Sequence, residues 1–356
     1  MAWHPQLSIA HSVSFSHLSQ NTLKYDQLAE VHMDLKTYIT LCQDPKYGGR
    51  LASVVLPKLR EHFKDKENQK PPVIWLETTG CSGNSVSLWN SIGPDLGQIL
   101  KDLIDLRYWN FLMAAQDDQA IEVLHRTATS QKDRFILVVE GAIALNEKFT
   151  VVHRQAGQDI SALKIVRYLG EYAKHVMAVG TCAAFGGPSA ARPNPFQSVG
   201  VEEAIKRKVI NVSGCPAHPD WIIGTLGHLL MFGKPELEEN GRPQIFYGET
   251  VHLRCTRRSF FDRGIFAQSL GDDECMFRLG CKGPVTGADC PTRQWNSYVS
   301  WPVEANTPCI GCTNPGFPDQ MEPFFEPLPE REETPTNLMN RWQQVRSRIP
   351  RGGSRP

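Results

Sequence analysis

Four apolar runs rich in Val and Ile punctuate the middle of the chain. They are PVIWLE (72–77) before Thr-Thr-Gly, DRFILVVEGAI (133–143), HVMAVG (175–180) before TCAAFGG, and KVINV (208–212) before SGCP. Short β-branched runs bounded by Gly-containing turns predict buried strands. Between them lie amphipathic stretches of helical length, over 96–115, 117–127, 159–174 and 220–230. Strands alternating with helices predict βαβ units and a mainly parallel sheet, an α/β fold. In such sheets ligands bind beyond the carboxyl ends of the strands, where the strand order reverses. Ahead of this unit, residues 1–70 read as a polar N-terminal extension with helical stretches over 22–41 and 49–63. It ends in the charged run KDKENQKPP and carries no site chemistry, so it is expected to pack on something, a partner included. Beyond Gly233 the strand rhythm fades. Residues 241–326 are rich in Gly, Pro and Cys, and 327–356 read as an extended arm, so the expected division is 1–70, 71–240, 241–326 and 327–356.

A length of 356 residues suits two domains and an accessory segment. Lys plus Arg and Asp plus Glu both number 38, and this zero net charge argues against nucleic acid as a partner and against a polybasic membrane anchor. The longest apolar run, 135–145, is broken by Glu140 and is far short of the ~20 residues that span a bilayer. The opening MAWHPQLSIAHSVSFSHLSQ has neither the basic nor the continuous apolar region of a secretory signal, and no twin-Arg pair follows. The expectation is a cytoplasmic chain, for which a peripheral membrane association would come through a partner.

Ten cysteines sharpen the picture. In a reducing compartment they are not expected as disulfides, and a free cysteine is ordinarily a small buried hydrophobe. Nine of the ten, however, fall between Cys81 and Cys312, most of them beside Gly or Pro, which favours metal or cluster ligation. Cys81, Cys182 and Cys215 each follow a predicted strand end, so the sheet should bring them to one edge. The C-terminal set is His252-Leu-Arg-Cys255, Cys275, Cys281, Cys290 and Cys309-Ile-Gly-Cys312. Structural zinc takes four ligands. Seven ligands split as four plus three, and a three-thiolate set suits a [3Fe–4S] cluster, with Pro302 able to occupy its missing corner. Cys42 is left as a structural cysteine.

The run RGIFAQSLGDDECMFRLGCKGPVTGADCPTRQWN, followed by WPVEANTPCIGCTNPGFPD, resembles the small, electron-transferring subunit of [NiFe]-hydrogenases. WLETTGCSGNSVS, VVEGAI, GTCAAFGG and SGCPAHPDW resemble that subunit's other motifs, in order. The resemblance covers roughly residues 72–320. It implies a flavodoxin-like parallel-sheet domain followed by a small irregular iron–sulfur C-terminal domain, with three clusters. Cys81, Cys182 and Cys215 would hold the proximal cluster, Cys290, Cys309 and Cys312 the medial, and His252, Cys255, Cys275 and Cys281 the distal. The nickel–iron centre needs two further Cys-x-x-Cys pairs, which this chain lacks, so it belongs to an obligate partner, the large subunit.

Many family members carry a second cysteine in the first loop where this chain has Asn84. An amide is a poor iron ligand beside a thiolate. The proximal cluster is therefore expected as [3Fe–4S], or as [4Fe–4S] with a weak fourth ligand, the first being favoured. By ligand count the medial cluster is [3Fe–4S] and the distal [4Fe–4S], with [3Fe–4S] also compatible there. The Cys-x-Gly-Asn form resembles the cytoplasmic uptake branch of cyanobacteria and actinobacteria. Ser82 and Ala190 stand near the places of the extra proximal cysteines of oxygen-tolerant enzymes. The family's GCPPNP reads GCPAHP here, which puts His218 behind the ligands or at the surface. Glu77 and Glu140 are expected to face the partner as hydrogen-bonding or interface groups. The implied function is conduction, from hydrogen oxidation at the large subunit through the three clusters to a quinone or a carrier protein, since no GxGxxG or other nicotinamide or flavin motif is present. A higher oligomer of heterodimers is compatible with this. The alternatives are a hydrogen-sensing regulatory hydrogenase, against which Asn84 weighs, and the single-cluster subunit of respiratory NADH dehydrogenase, which has no use for the six C-terminal cysteines. A zinc-stabilised interaction module is the third.

Overall fold

A computed structural model describes residues 33–43, 51–63, 69–92, 95–155 and 157–326. The expected arm over 327–356 and residues 1–32 of the extension lie outside the described residues. The strands are β1 (Pro72–Glu77), β2 (Asp105–Trp109), β3 (Ile136–Glu140), β4 (Ile143–Ala144), β5 (Val151–Gln155), β6 (Gln158–Ser161), β7 (His175–Val179), β8 (Ser198–Val199) and β9 (Ile210–Val212). Five of them form a parallel sheet in the order β2-β1-β3-β7-β9. Counted within the sheet this is the flavodoxin-like order, whose switch point lies between β1 and β3. Every residue of β3 is buried, and so is every residue of β1 except Glu77. That is why both read as continuous apolar runs and not as alternations.

Seven helices matter for the site: α1 (Leu35–Gln43), α2 (Leu51–His62), α3 (Gly83–Trp89), α4 (Asp117–Ser130), α5 (Ala162–Tyr172), α6 (Thr181–Phe185) and α7 (Pro219–Phe232). On one face of the sheet, Val73, Trp75, Val138 and Val179 pack with Tyr38 and Cys42 of α1, Leu59 of α2, and Trp221, Ile222 and Leu226 of α7. On the other, Ile74, Leu137 and Val139 pack with Leu124 of α4 and Val166 and Leu169 of α5. Tyr247, Val251, Trp301 and Val303 of the C-terminal segment join the first of these cores. The apolar groups that segment builds for itself are small: Phe261, Phe266, Cys275 and Phe277, and then Ala267, Met276 and Leu279.

Three departures from the sequence reading have local causes. The helix expected over 96–115 is only a short turn, Leu96–Gln98, continued by a π-turn Ile99–Leu103 and then by β2. Trp109 stacks on Trp75 with ring centroids 4.7 Å apart, and such aromatic pairing favours a pleated edge strand over a helix. The helix expected from 159 starts only at Ala162, because residues 158–161 pair with β5 as a hairpin and Ser161 caps the helix, its hydroxyl accepting from Lys164 N at 3.2 Å. The described part of the N-terminal extension packs on its own chain. The Tyr38 hydroxyl donates to the Gly224 carbonyl of α7 at 2.5 Å, and Cys42 is 1% exposed, a core cysteine as expected. No helix of the described residues is long and apolar enough to cross a membrane.

Candidate metal centres

Cys81 lies in the turn after β1, Cys182 in α6 just after β7, and Cys215 three residues beyond β9. The sheet thus delivers all three to its carboxyl edge. The Cys215 thiol lies among those of Cys312, Cys182 and Cys81. Burial first, and then these neighbours, push it up to about 12. Cys81 and Cys215 are exposed and Cys182 is half-buried, with the Ser189 hydroxyl 3.5 Å from its sulfur. Glu77, half-buried at the rim, has its carboxyl raised by burial and further by Glu140, against the hydrogen bond it accepts from Ser82 Oγ. Ala190 is buried.

Of the two roles expected for Glu140, the structure shows the hydrogen-bonding one. It is 1% exposed, and its carboxylate accepts from Trp75 Nε1 (3.2 Å), Ser85 Oγ (2.5 Å) and the backbone N–H groups of Asn84 (2.8 Å) and Ser85 (3.1 Å). It caps the start of α3, where a carboxylate also meets the positive end of the helix. His218 is not a surface group. It is 4% exposed, its Nδ1 accepts from Asp220 N (3.0 Å), and its Nε2 donates to the Gln294 carbonyl (2.8 Å). Burial, then Arg293, hold the imidazole down to about 3, so it stays neutral in this tautomer. The ring therefore ties the Cys215 loop to the turn Cys290–Arg293.

The remaining sulfurs continue inward from this edge. The Cys312 sulfur lies beside the Cys215 backbone and thiol. Cys312 in turn neighbours Cys290 and Cys309, whose thiols burial pushes far above the ordinary range. Cys309 also neighbours Cys281, and the Lys282 N–H donates to the Cys309 carbonyl at 2.7 Å. Cys281, Cys255, Cys275 and His252 line one cavity with Trp301 and Val303. There the His252 ring meets Phe261 edge-on at 4.5 Å, and burial keeps the imidazole neutral, the form that ligates metals. Pro302 is placed differently from the expectation. Its ring is exposed and not set in a buried corner, while its neighbours Trp301 and Val303 line the His252 cavity.

Bare thiolates crowded in dry surroundings are costly, as the raised Cys275 and Cys290 thiols record, and bound iron removes that cost. None of the ten cysteines is in a disulfide, and nine converge in three successive sets. Two sets of three thiolates do not complete a structural zinc site, and thiolate sets of this kind hold iron–sulfur clusters. The residues fit such groups.

The class defined is a metal-cluster protein on an α/β sheet, and comparison with known proteins narrows it. Residues 81–229 match the family described as NADH ubiquinone oxidoreductase, 20 Kd subunit. Residues 247–325 match the C-terminal family of the NiFe/NiFeSe hydrogenase small subunit. The quinone-reactive Ni/Fe-hydrogenase small chain of Wolinella succinogenes is 38% identical over 267 residues, covering 73% of this chain and 75% of that one. The uptake hydrogenase small subunit of Azotobacter vinelandii is 34% identical over 313 residues, 85% of each chain. Among solved structures, the actinobacterial-type NiFe-hydrogenase from Ralstonia eutropha H16 matches with a TM-score of 0.67 at 27% identity, over 83% of this chain and 97% of that one. The chain belongs to the small-subunit family of [NiFe]-hydrogenases.

Proposed function

We propose that this chain is the electron-transferring subunit of an uptake [NiFe]-hydrogenase. It would accept electrons from a nickel–iron centre on a large-subunit partner and pass them through three iron–sulfur clusters. The observation that carries the reading is the unbroken succession of sulfur sets, with Cys215 against Cys312 and Cys309 against Cys281. When bound, iron–sulfur clusters supply reversible one-electron transfer. The chain's own residues hold the three sets at fixed spacing, exclude water from the inner two, and keep His252 neutral.

The ligand counts support [3Fe–4S] at the proximal and medial sets and [4Fe–4S] at the four-ligand set. The partner face is argued from Val86, Trp89, Ile92, Phe111 and Leu112, which are all exposed on and beside α3, the helix that follows Cys81. An apolar patch of this kind marks a protein interface. The acceptor is a quinone or a carrier protein at the distal end, and the compartment is the cytoplasm. Low-temperature EPR and metal analysis of the chain co-purified with its large subunit test this. Roughly ten irons per chain, divided among three centres, are expected from the ligand counts. Zinc in place of iron would sink the relay.

A further inference from the structure

Asn84 is the second residue of α3, three positions after Cys81, and it is 7% exposed. Both ends of its side-chain amide are engaged. Nδ2 donates to Glu140 Oε1 at 3.1 Å, and Oδ1 accepts from Ala217 N at 2.8 Å. Ala217 lies two residues after Cys215. A third loop closes on the same group. Gly180, two residues before Cys182, has φ +88°, and any Cβ there would collide with the Asn84 amide. One buried amide therefore touches the three loops that carry Cys81, Cys182 and Cys215. Its orientation is set by its partners, because a flipped amide would put its carbonyl against the Glu140 carboxylate and its NH₂ against the Ala217 N–H.

We propose that Asn84 is a positioning residue whose amide clamps the three proximal-cluster loops together and is thereby withheld from iron, leaving three thiolates as the whole proximal ligand set. The proposal rests on the relay reading above. To reach a metal through its oxygen, Asn84 would have to abandon the Ala217 N–H and leave it buried without an acceptor, which is disfavoured. Neither Cys nor Asp can take its place in the clamp. A thiol is too weak a donor and acceptor to hold both neighbours, and a carboxylate would set an oxygen opposite Glu140 Oε1 with no proton between them. Glu140 already accepts from Asn84 N, Ser85 N, Ser85 Oγ and Trp75 Nε1, so it has no proton of its own committed to that contact.

The test uses the complex with its large subunit, read by EPR, by redox titration of each centre and by iron content. The wild-type proximal centre is expected to give a three-iron signal. Asn84→Asp is expected to lower proximal occupancy several-fold and broaden that signal, with the medial and distal signals unchanged. Asn84→Ala, which removes both side-chain bonds and offers iron no oxygen, is expected to lower proximal occupancy at least as far and to shift the proximal potential, again with the other two centres unchanged. A wild-type [4Fe–4S] proximal centre would show that Asn84 is not withheld. An Asn84→Asp variant that gains a fourth iron, or an Asn84→Ala variant that keeps full proximal occupancy and potential, would overturn the clamp. The absence of every iron–sulfur signal from the wild-type complex would instead sink the relay reading itself.

Discussion

Replacing Arg293 by Met removes the one cation in the buried group that holds the Cys290 turn against α7. The guanidinium is 1% exposed and bonds Asp289 Oδ2 (Nη2, 2.6 Å), Asp220 Oδ2 (Nη1, 3.1 Å) and the Cys42 carbonyl (Nη2, 3.1 Å). Asp220 is fully buried. Burial lifts its carboxyl from 3.8 to about 6, even though Arg293 pulls the other way. At about 1.36 kcal/mol per unit, that gap already costs wild type about 3 kcal/mol at pH 7. Without Arg293 the carboxyl must enter the fold protonated. At pH 7 that costs about 4 kcal/mol relative to an unfolded carboxylate of ordinary pKa, on the order of 1 kcal/mol more than wild type. Losing the charge-assisted pairing to Asp289 adds roughly 1.5–3 kcal/mol, so the variant should lose about 3–4 kcal/mol at pH 7, within the range for breaking a buried ion pair. The native variant then holds a proton that the unfolded chain releases, so its stability falls by about 1.4 kcal/mol for each pH unit of rise. Wild type, whose native carboxyl is essentially ionised from pH 7 upwards, stays flat there and falls only slightly between pH 6 and 7. Urea unfolding of the heterodimer at pH 6, 7 and 8 can be followed by tryptophan fluorescence; Trp221 Nε1 donates to Asp289 at 2.7 Å, within the group that the substitution disturbs. A loss that does not change between pH 6 and pH 8 would refute the reasoning, as would one below about 1 kcal/mol. Asp220→Asn is the control and should abolish the slope.

Expressed without a large subunit, the chain should aggregate or lack iron, because the apolar face around Trp89 and Phe111 would be open to water; a monodisperse, fully iron-loaded chain would count against an obligate complex. His252→Cys adds a negative ligand and should lower the distal potential in a redox titration. His252→Ala should slow dye reduction while hydrogen isotope exchange at the partner's site continues; an equal fall in both would make His252 merely structural. Cys42→Ala should cost on the order of 1 kcal/mol of unfolding free energy through lost apolar burial and leave the iron content unchanged, and any loss of iron would show that the tenth cysteine had been misread.

The cysteines and the central strands could be read from the sequence because both are local signals. A buried strand announces itself as an apolar run, and a ligand as a cysteine just past its end. β2 could not, because DLRYW carries two charges in five residues and lies at the sheet edge, where Trp75, thirty-four residues away from Trp109, decides its conformation. For Glu140 the sequence leaves a hydrogen-bonding and an interface role side by side. Its real surroundings come from the α3 backbone, 55 and 56 residues distant. His218 and Gln294 lie 76 residues apart, and Asn84 and Ala217 lie 133 apart. No periodicity encodes such pairs. In the sequence Asn84 reads as a missing thiolate; in the fold it is a buried amide with a partner at each of its ends.

What holds the three sets at their spacing is mostly polar. The Thr181 hydroxyl donates to the Cys312 carbonyl at 2.5 Å and accepts from Gly214 N at 2.9 Å, so one side chain beside Cys182 fixes the loop of Cys215 and the backbone of Cys312. Ser213 Oγ donates to the Thr313 carbonyl at 2.8 Å, and Lys282 N to the Cys309 carbonyl at 2.7 Å. The C-terminal segment has only small apolar clusters of its own to resist distortion there. Hydrogen bonds of this kind contribute about 1 kcal/mol each to stability, yet each also sets the relative position of two sulfur sets. The bulk of the large apolar cores lies between the sheet and its helices, and Cys255, Cys281, Cys290 and Cys309 pack only at the margin of one of them. Loosening one tie should therefore leave the sheet folded while the sulfurs drift from the geometry that iron requires. In this architecture iron is lost before the fold is, and Thr181→Val, which removes both bonds at little cost in volume, should show that order in a titration that follows iron release and sheet unfolding together.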